Sequence, residues 1–102
     1  MSYEEFPGGD LIDKGLADLE AGRETVEALL VSIGAPRLLL AGIPVPDETS
    51  PNPERRLYDR LALEDSDSAH SRYNALVRRL VSFESTVEIL NSAAEDGPAV
   101  AH

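Results

Sequence analysis

The stretch "LLVSIGAPRLLLAGIPVP", Leu29 to Pro46, decides what kind of protein this is. It holds most of the chain's strongest hydrophobicity, yet Gly34, Pro36 and Arg37 interrupt it. A membrane-spanning helix needs about 20 predominantly apolar residues in a row. Pro36 and Arg37 break this run well before that length, so no membrane span is expected. A DNA-reading helix-turn-helix fits no better. That motif asks for a small residue in its first helix and a turn glycine about four positions later. After Ala28 that position is Ser32, and Gly34 comes two residues late. The would-be reading helix, "PRLLLAG", offers only Arg37 to a base edge or a phosphate, where donors and acceptors are needed along the whole exposed face.

What remains is the core of a small helical bundle. Val26, Leu29, Leu30 and Ile33 fall at i, i+3, i+4 and i+7, the spacing of one helix face. This helix is expected from about Glu24, with Glu24 and Glu27 at the positive end of its dipole. Proline lacks an N–H and crowds the preceding turn, so a break is expected at Gly34-Ala35-Pro36. A short helix would follow from Pro36 to Ala41, capped by Gly42. Leu38, Leu39 and Leu40 are consecutive, and a short helix cannot turn all three inward. At least one of them should meet another helix or another chain.

Upstream, residues 1–9 read as a flexible arm ending in Pro7-Gly8-Gly9. Asp10 is the expected N-cap of a first helix, Leu11, Ile12, Leu16 and Leu19 form its apolar stripe, and Gly22 ends it. Downstream, four prolines between Ile43 and Pro53 rule out regular helix and predict an extended connector over 43–53. Ile43 and Val45 alternate with Pro44 and Pro46, so one side of it can lie along the bundle. Asn52-Pro53-Glu54 reads as a helix start, with N-cap, N1 proline and acidic first turn. Leu57, Tyr58 and Leu61 would face inward until "EDSDS", Glu64 to Ser68, ends that helix and caps the next. In the last helix Ala69, Tyr73, Leu76, Leu80, Phe83, Val87 and Leu90 are spaced alternately by four and three. That is an a/d seam, with Val77 and Ile89 widening it. Residues 92–102 have the composition of a disordered tail.

The expected fold class is therefore all-α: one domain over residues 10–91, a bundle of four to five helices with a long C-terminal helix. Its 102 residues suit a single domain. Aromatics are few and tryptophan is absent, so the core must be aliphatic. The absence of cysteine excludes disulfides and thiolate metal sites. A long helix with a continuous seam can pack within its own chain or against a symmetry mate, and a homodimer is expected.

Net charge is −10, which repels nucleic acid from the chain as a whole. The charge is uneven. Met1 to Leu30 holds eight acids against Lys14 and Arg23, whereas Asn52 to Leu80 holds six arginines against five acids. Those six, Arg55, Arg56, Arg60, Arg72, Arg78 and Arg79, form the candidate surface for an anion or for nucleic acid. Glu54, Asp59, Glu84 and Glu88 lie among them and are expected to take up several in local ion pairs. His70 is the one internal histidine. Its i+4 neighbour is Asn74, which makes a poor second metal ligand, and Ser71 and Tyr73 point in other directions from a shared helix. The chain shows no paired inward carboxylates on an apolar face, no G-x-S-x-G, no P-loop and no dinucleotide glycine pattern. "PGGD" could cradle a phosphate at a helix start, but Asp10 and Asp13 put negative charge where the anion would sit.

These features lead to a non-catalytic protein-interaction or regulatory module, antitoxin-like or accessory-subunit-like in size and charge. It is expected to be cytoplasmic, to need no cofactor or metal, and to bind a protein partner through Leu38 to Leu40 and the arginine surface. The two alternatives are a nucleic-acid-associated regulator built on those arginines, and a small ligand-binding or enzymatic bundle around His70.

Overall fold

Four helices follow one another in a computed structural model that describes residues 3–47 and 49–100, with side chains as far as Asn91. They are α1 (Gly9–Glu20), α2 (Val26–Leu40), α3 (Pro53–Glu64) and α4 (Ala69–Val100). Among the described residues there is no strand, and the fold is all-helical. No described helix is long and apolar enough to cross a membrane.

The centre of the molecule is α2, which packs against α1, α3 and α4. Hence its apolar residues are not confined to one stripe. Ala28, Leu29, Leu30, Val31, Ala35 and Leu38 are all buried, because three different neighbours receive them. The expected break at Gly34-Ala35-Pro36 is absent, and α2 runs through it unbroken to Leu40. Pro36 does remove the N–H that would reach the Ser32 carbonyl, a loss of about 3 kcal/mol in a free helix. Each fully buried leucine or valine of α2 returns about 1.5 to 3 kcal/mol, so tertiary packing outweighs the local defect. Gly34 has a different task from breaking the helix. A Cβ there would stand 2.8 Å from Leu80 Cδ1 and 2.8 Å from Glu84 Oε2, so the glycine is what lets α4 approach.

Both expected glycine stops are present. Gly22 and Gly42 have φ of 74° and 88°, in the left-handed region that a Cβ disfavours. After each, the next residue's N–H bonds back five positions, Arg23 to the Asp18 carbonyl (2.8 Å) and Ile43 to the Leu38 carbonyl (3.0 Å), which is the Schellman arrangement. The helix starts differ more. Gly8, not Asp10, occupies the N-cap of α1. It lies so close to α4 that a Cβ would meet the Arg79 carbonyl oxygen at 2.6 Å. Asp10 falls in the first turn and accepts from Arg79 at 3.0 Å instead. In α2 the N-cap is Thr25, whose hydroxyl accepts from the Ala28 N–H at 3.1 Å, and Glu24 lies outside the helix. Asn52 precedes α3 at φ 47° with Pro53 at N1, but its side chain makes no cap bond.

The connector after α2 is extended and buries Ile43 and Val45, while Pro44 faces out. The Ser50 N–H donates to Ser32 Oγ at 3.2 Å and ties the strap to α2. Leu57 and Leu61 of α3 are buried, and Tyr58 rests on Tyr73 with ring centroids 5.8 Å apart. Along α4, Ala69, Leu80, Phe83 and Val87 are buried, and Tyr73 and Leu76 partly so. The seam is thus filled from within the chain as far as Val87. Leu90 is half exposed, and Ile89 faces away from the core instead of widening it.

Residues 3–8, expected to be a loose arm, make successive turns against α1 and α4. The Tyr3 N–H donates to both oxygens of Asp13, and the Phe6 N–H to the Tyr3 carbonyl. Tyr3 meets Phe83 edge-on at 5.6 Å and Phe6 lies 6.2 Å from it. In a chain so poor in aromatics, three of the five join to cover one end of the core. The expected tail, residues 92–102, lies outside the residues whose side chains are described, while the helical backbone of α4 continues to Val100.

Candidate interaction surface

Two carboxylates are buried singly, at separate junctions, and both serve to join helices. Asp18 is 2% exposed. It accepts from Lys14 Nζ (2.7 Å), the Thr25 hydroxyl (2.6 Å) and the Arg23 guanidinium (3.1 Å). The Lys14 bond, then that of Thr25, holds its pKa down at about 2. Since Thr25 also caps α2, Asp18 fixes the corner between α1 and α2.

Glu84 lies at the other crossing, between α2 and α4, and is 4% exposed. Arg37 Nη1 donates to Glu84 Oε1 at 3.2 Å, while its Nε and Nη2 reach the two oxygens of Glu88 at 2.6 and 2.7 Å. Burial raises the Glu84 pKa in spite of Arg37. The bonded Arg37 lowers that of Glu88, and Arg37 itself is raised, chiefly by Glu88. Asn91 Nδ2 completes the clasp by donating to the Ala41 carbonyl at 2.7 Å. Glu84 and Glu88 therefore answer an arginine on α2, not the neighbouring Arg78 and Arg79 of their own helix. Sequence spacing shows i, i+4 neighbours only, so this pairing across 47 and 51 positions had no local signal.

The six-arginine surface is largely committed to the fold. Arg55 pairs with Asp59 (3.8 Å), Arg56 with Glu24 (3.5 Å), Arg72 with Glu64 (3.3 Å) and Arg79 with Asp10 (3.0 Å). The last three bridge separate elements. Among the described residues, Arg60 and Arg78 alone of the six are without an ion pair. Arg72 and Arg79 do line one groove, of about 450 Å³, but Glu27 and Glu64 line it with them. Such a mixture gives an incoming phosphate as much repulsion as attraction.

His70 is exposed and its Nε2 lies 3.2 Å from Asn74 Nδ2. It is absent from the lining of the Arg72 and Arg79 groove. The described residues contain no group of three or more histidines and carboxylates able to hold a metal. Every buried side-chain nitrogen and oxygen among them has a hydrogen-bond partner.

The three leucines separate sharply. Leu38 is fully buried, Leu39 is 54% exposed and Leu40 is 90% exposed. Beside them runs an apolar groove of about 470 Å³ between α2 and the proline-rich strap. Ala35, Pro36 and Leu39 form one wall, Val45, Pro46 and Pro53 the other. Leu39 is the last residue of α2 in the lining, and the exposed Leu40 follows it at the end of the helix, outside the lining itself. The groove could not be read from sequence, since it depends on how the strap folds back. Comparison with family models, with curated proteins and with solved structures gave no match.

Proposed function

We propose that this protein is a non-catalytic protein-interaction module of an antitoxin-like or accessory-subunit-like kind, and that the end of α2 is its contact surface. The observation that carries this reading is the pair at the tip of the most buried helix, Leu40, 90% exposed, and Leu39, 54% exposed and lining an apolar groove. Adjacent exposed leucines continuous with an apolar groove make a contiguous apolar patch, the kind of surface at which proteins meet. The polar groups support the same reading from the opposite direction. Asp18, Glu84 and most of the arginines are spent on holding helices together. Excess acid on the outside keeps such a surface soluble between encounters.

The test is in vivo cross-linking of the tagged chain in its native host, beside a Leu40→Asp variant. A stoichiometric protein partner is expected with the wild type and should be lost with the variant. Recovery of no stoichiometric partner, or equal recovery by both chains, would refute the reading.

A further inference from the structure

We infer that α4 carries a pH-sensitive latch: residues 88–91 are clamped to the tip of α2 by the Glu88–Arg37 pair and come away when Glu88 takes up a proton, while the rest of the bundle stays folded. The kind of attachment changes along the helix. Apolar burial in α4 runs through Leu80 and Phe83 and ends at Val87. In the next turn Ile89 is 68% exposed and Leu90 48% exposed. Among the described residues, polar bonds tie that turn to α2. The Arg37 guanidinium donates to both oxygens of Glu88, and Asn91 donates to the Ala41 carbonyl. Glu88 and Asn91 are three positions apart and share a helix face. The body of α4 is held differently, with Leu80, Phe83 and Val87 in the core and Gly34 giving α4 its close approach to α2. Val87 is therefore the joint.

One proton undoes the clamp because Arg37 and Glu88 meet as two forks. Two N–H donors need two acceptor oxygens, and a protonated carboxyl replaces one acceptor by a donor. Both side chains are 41% exposed, so water can take the place of either. The Asn91 bond is exposed as well, and exchanging it for water costs little. The body of the helix depends on apolar burial, which this proton does not touch.

Few charged groups act on the latch. α2 presents Arg37 to Glu88 and Glu84, α4 itself contributes those two acids, and no charged group of α1, α3 or the connector among the described residues shifts either one. Burial makes Glu84 take its proton first, above the ordinary value of 4.5, which leaves Arg37 to Glu88 alone. Arg37 holds Glu88 ionised to below 4.5. The clamp is thus complete above 4.5 and lost as pH falls through the lowered Glu88 value.

The chain has no cysteine, so nitroxide pairs on the full chain can measure the joint. Leu63→Cys on α3 with Ile89→Cys spans it, and Leu63→Cys with Val81→Cys stays on the near side as the control. All three positions are exposed. Double electron–electron resonance is recorded for both pairs from pH 7 to pH 3, and at pH 7 with Glu88→Gln added. That substitution copies the protonated carboxyl in losing the charge and one acceptor. In the wild type at pH 7 both pairs should give one narrow distance. Glu88→Gln should widen the 63–89 distribution about twofold, as the released turn samples more than one position, and leave 63–81 as it was. Acid should widen 63–89 in the same way with a midpoint below 4.5.

A 63–89 distance that stays narrow in Glu88→Gln, or in the wild type down to pH 3, overturns the latch. So does one already broad in the wild type at pH 7. A midpoint above 4.5 would assign the release to Glu84 and refute the role given to Glu88. If both pairs widen together, α4 has no joint at Val87 and the inference fails.

Discussion

Replacing Asp18 by Asn keeps the size and most of the shape of the side chain but removes its charge and one acceptor oxygen. In the folded protein that oxygen faces either Lys14 and Thr25 or Arg23, all of them donors. The amide NH2 must therefore point at a donor whichever way it turns. The drop in pKa from 3.8 to about 2 corresponds to about 2 kcal/mol. The Lys14 and Arg23 side chains are 54% and 64% exposed, and solvent screening reduces the figure to about 1 to 2 kcal/mol. A depressed carboxylate pKa contributes stability that is present above the unfolded value and lost as pH falls through the folded one. The Asp18 contribution should thus be complete at pH 7, fall to about half by pH 3 and to roughly a fifth by pH 2. Urea unfolding followed by circular dichroism at 222 nm, for both chains at pH 7, 5 and 3, measures the gap directly. Other carboxylates titrate alike in the two chains and cancel in the difference. The reasoning fails if the Asn variant matches the wild type at pH 7, or if the gap is the same at pH 3 as at pH 7.

Three further outcomes follow from the same structure. Phe83→Ala should lower stability by about 3 to 5 kcal/mol, since the ring is fully buried and both Tyr3 and Phe6 rest on it; an unchanged urea midpoint would contradict this packing. Gly15→Ala should destabilise although alanine favours helix by about 1 kcal/mol, because its Cβ would meet the Glu27 backbone carbonyl of α2; a raised melting temperature would show that α1 and α2 are not this close. In a carbon-detected NMR titration Glu84 should ionise above the ordinary glutamate value of 4.5 and Glu88 below it. The signs differ for stability too: the cost of burying ionised Glu84 is relieved as pH falls through its raised pKa, whereas the Glu88 contribution is lost as pH falls through its lowered one. Coincident titration of the two would dissolve the proposed clasp.

Much of the fold was legible because it rests on local rules. The i, i+3, i+4 spacing of Val26 to Ile33, the glycines at 22 and 42, Pro53 at N1 and the a/d seam of α4 each act within a few residues of themselves. The same rules misread Gly34 and Pro36, since propensity within one helix cannot register that α4 needs a glycine to come close. They also misassigned Asp10, because Gly8 was required against the Arg79 carbonyl. Crowding alone foretold that the three leucines could not all turn inward, and Leu39 and Leu40 do stay exposed. Which of the three would remain in water depended on neighbours that the triplet does not contain.

The sequence by itself determined an acidic, all-helical chain with a largely aliphatic core, the glycine stops at 22 and 42, the start of α3 at Pro53 and most of the inward face of α4, since capping and periodicity are properties of short segments. Tertiary structure alone decided the rest. It sank Asp18 and Glu84 at two helix junctions, drew Arg37 across 51 residues to Glu88, spread most of the arginines into ion pairs between elements, set Leu39 along a groove and left Leu40 bare. The physical reason is that charge pairing and burial depend on distance in space, and here the partners lie up to 69 positions apart in the chain.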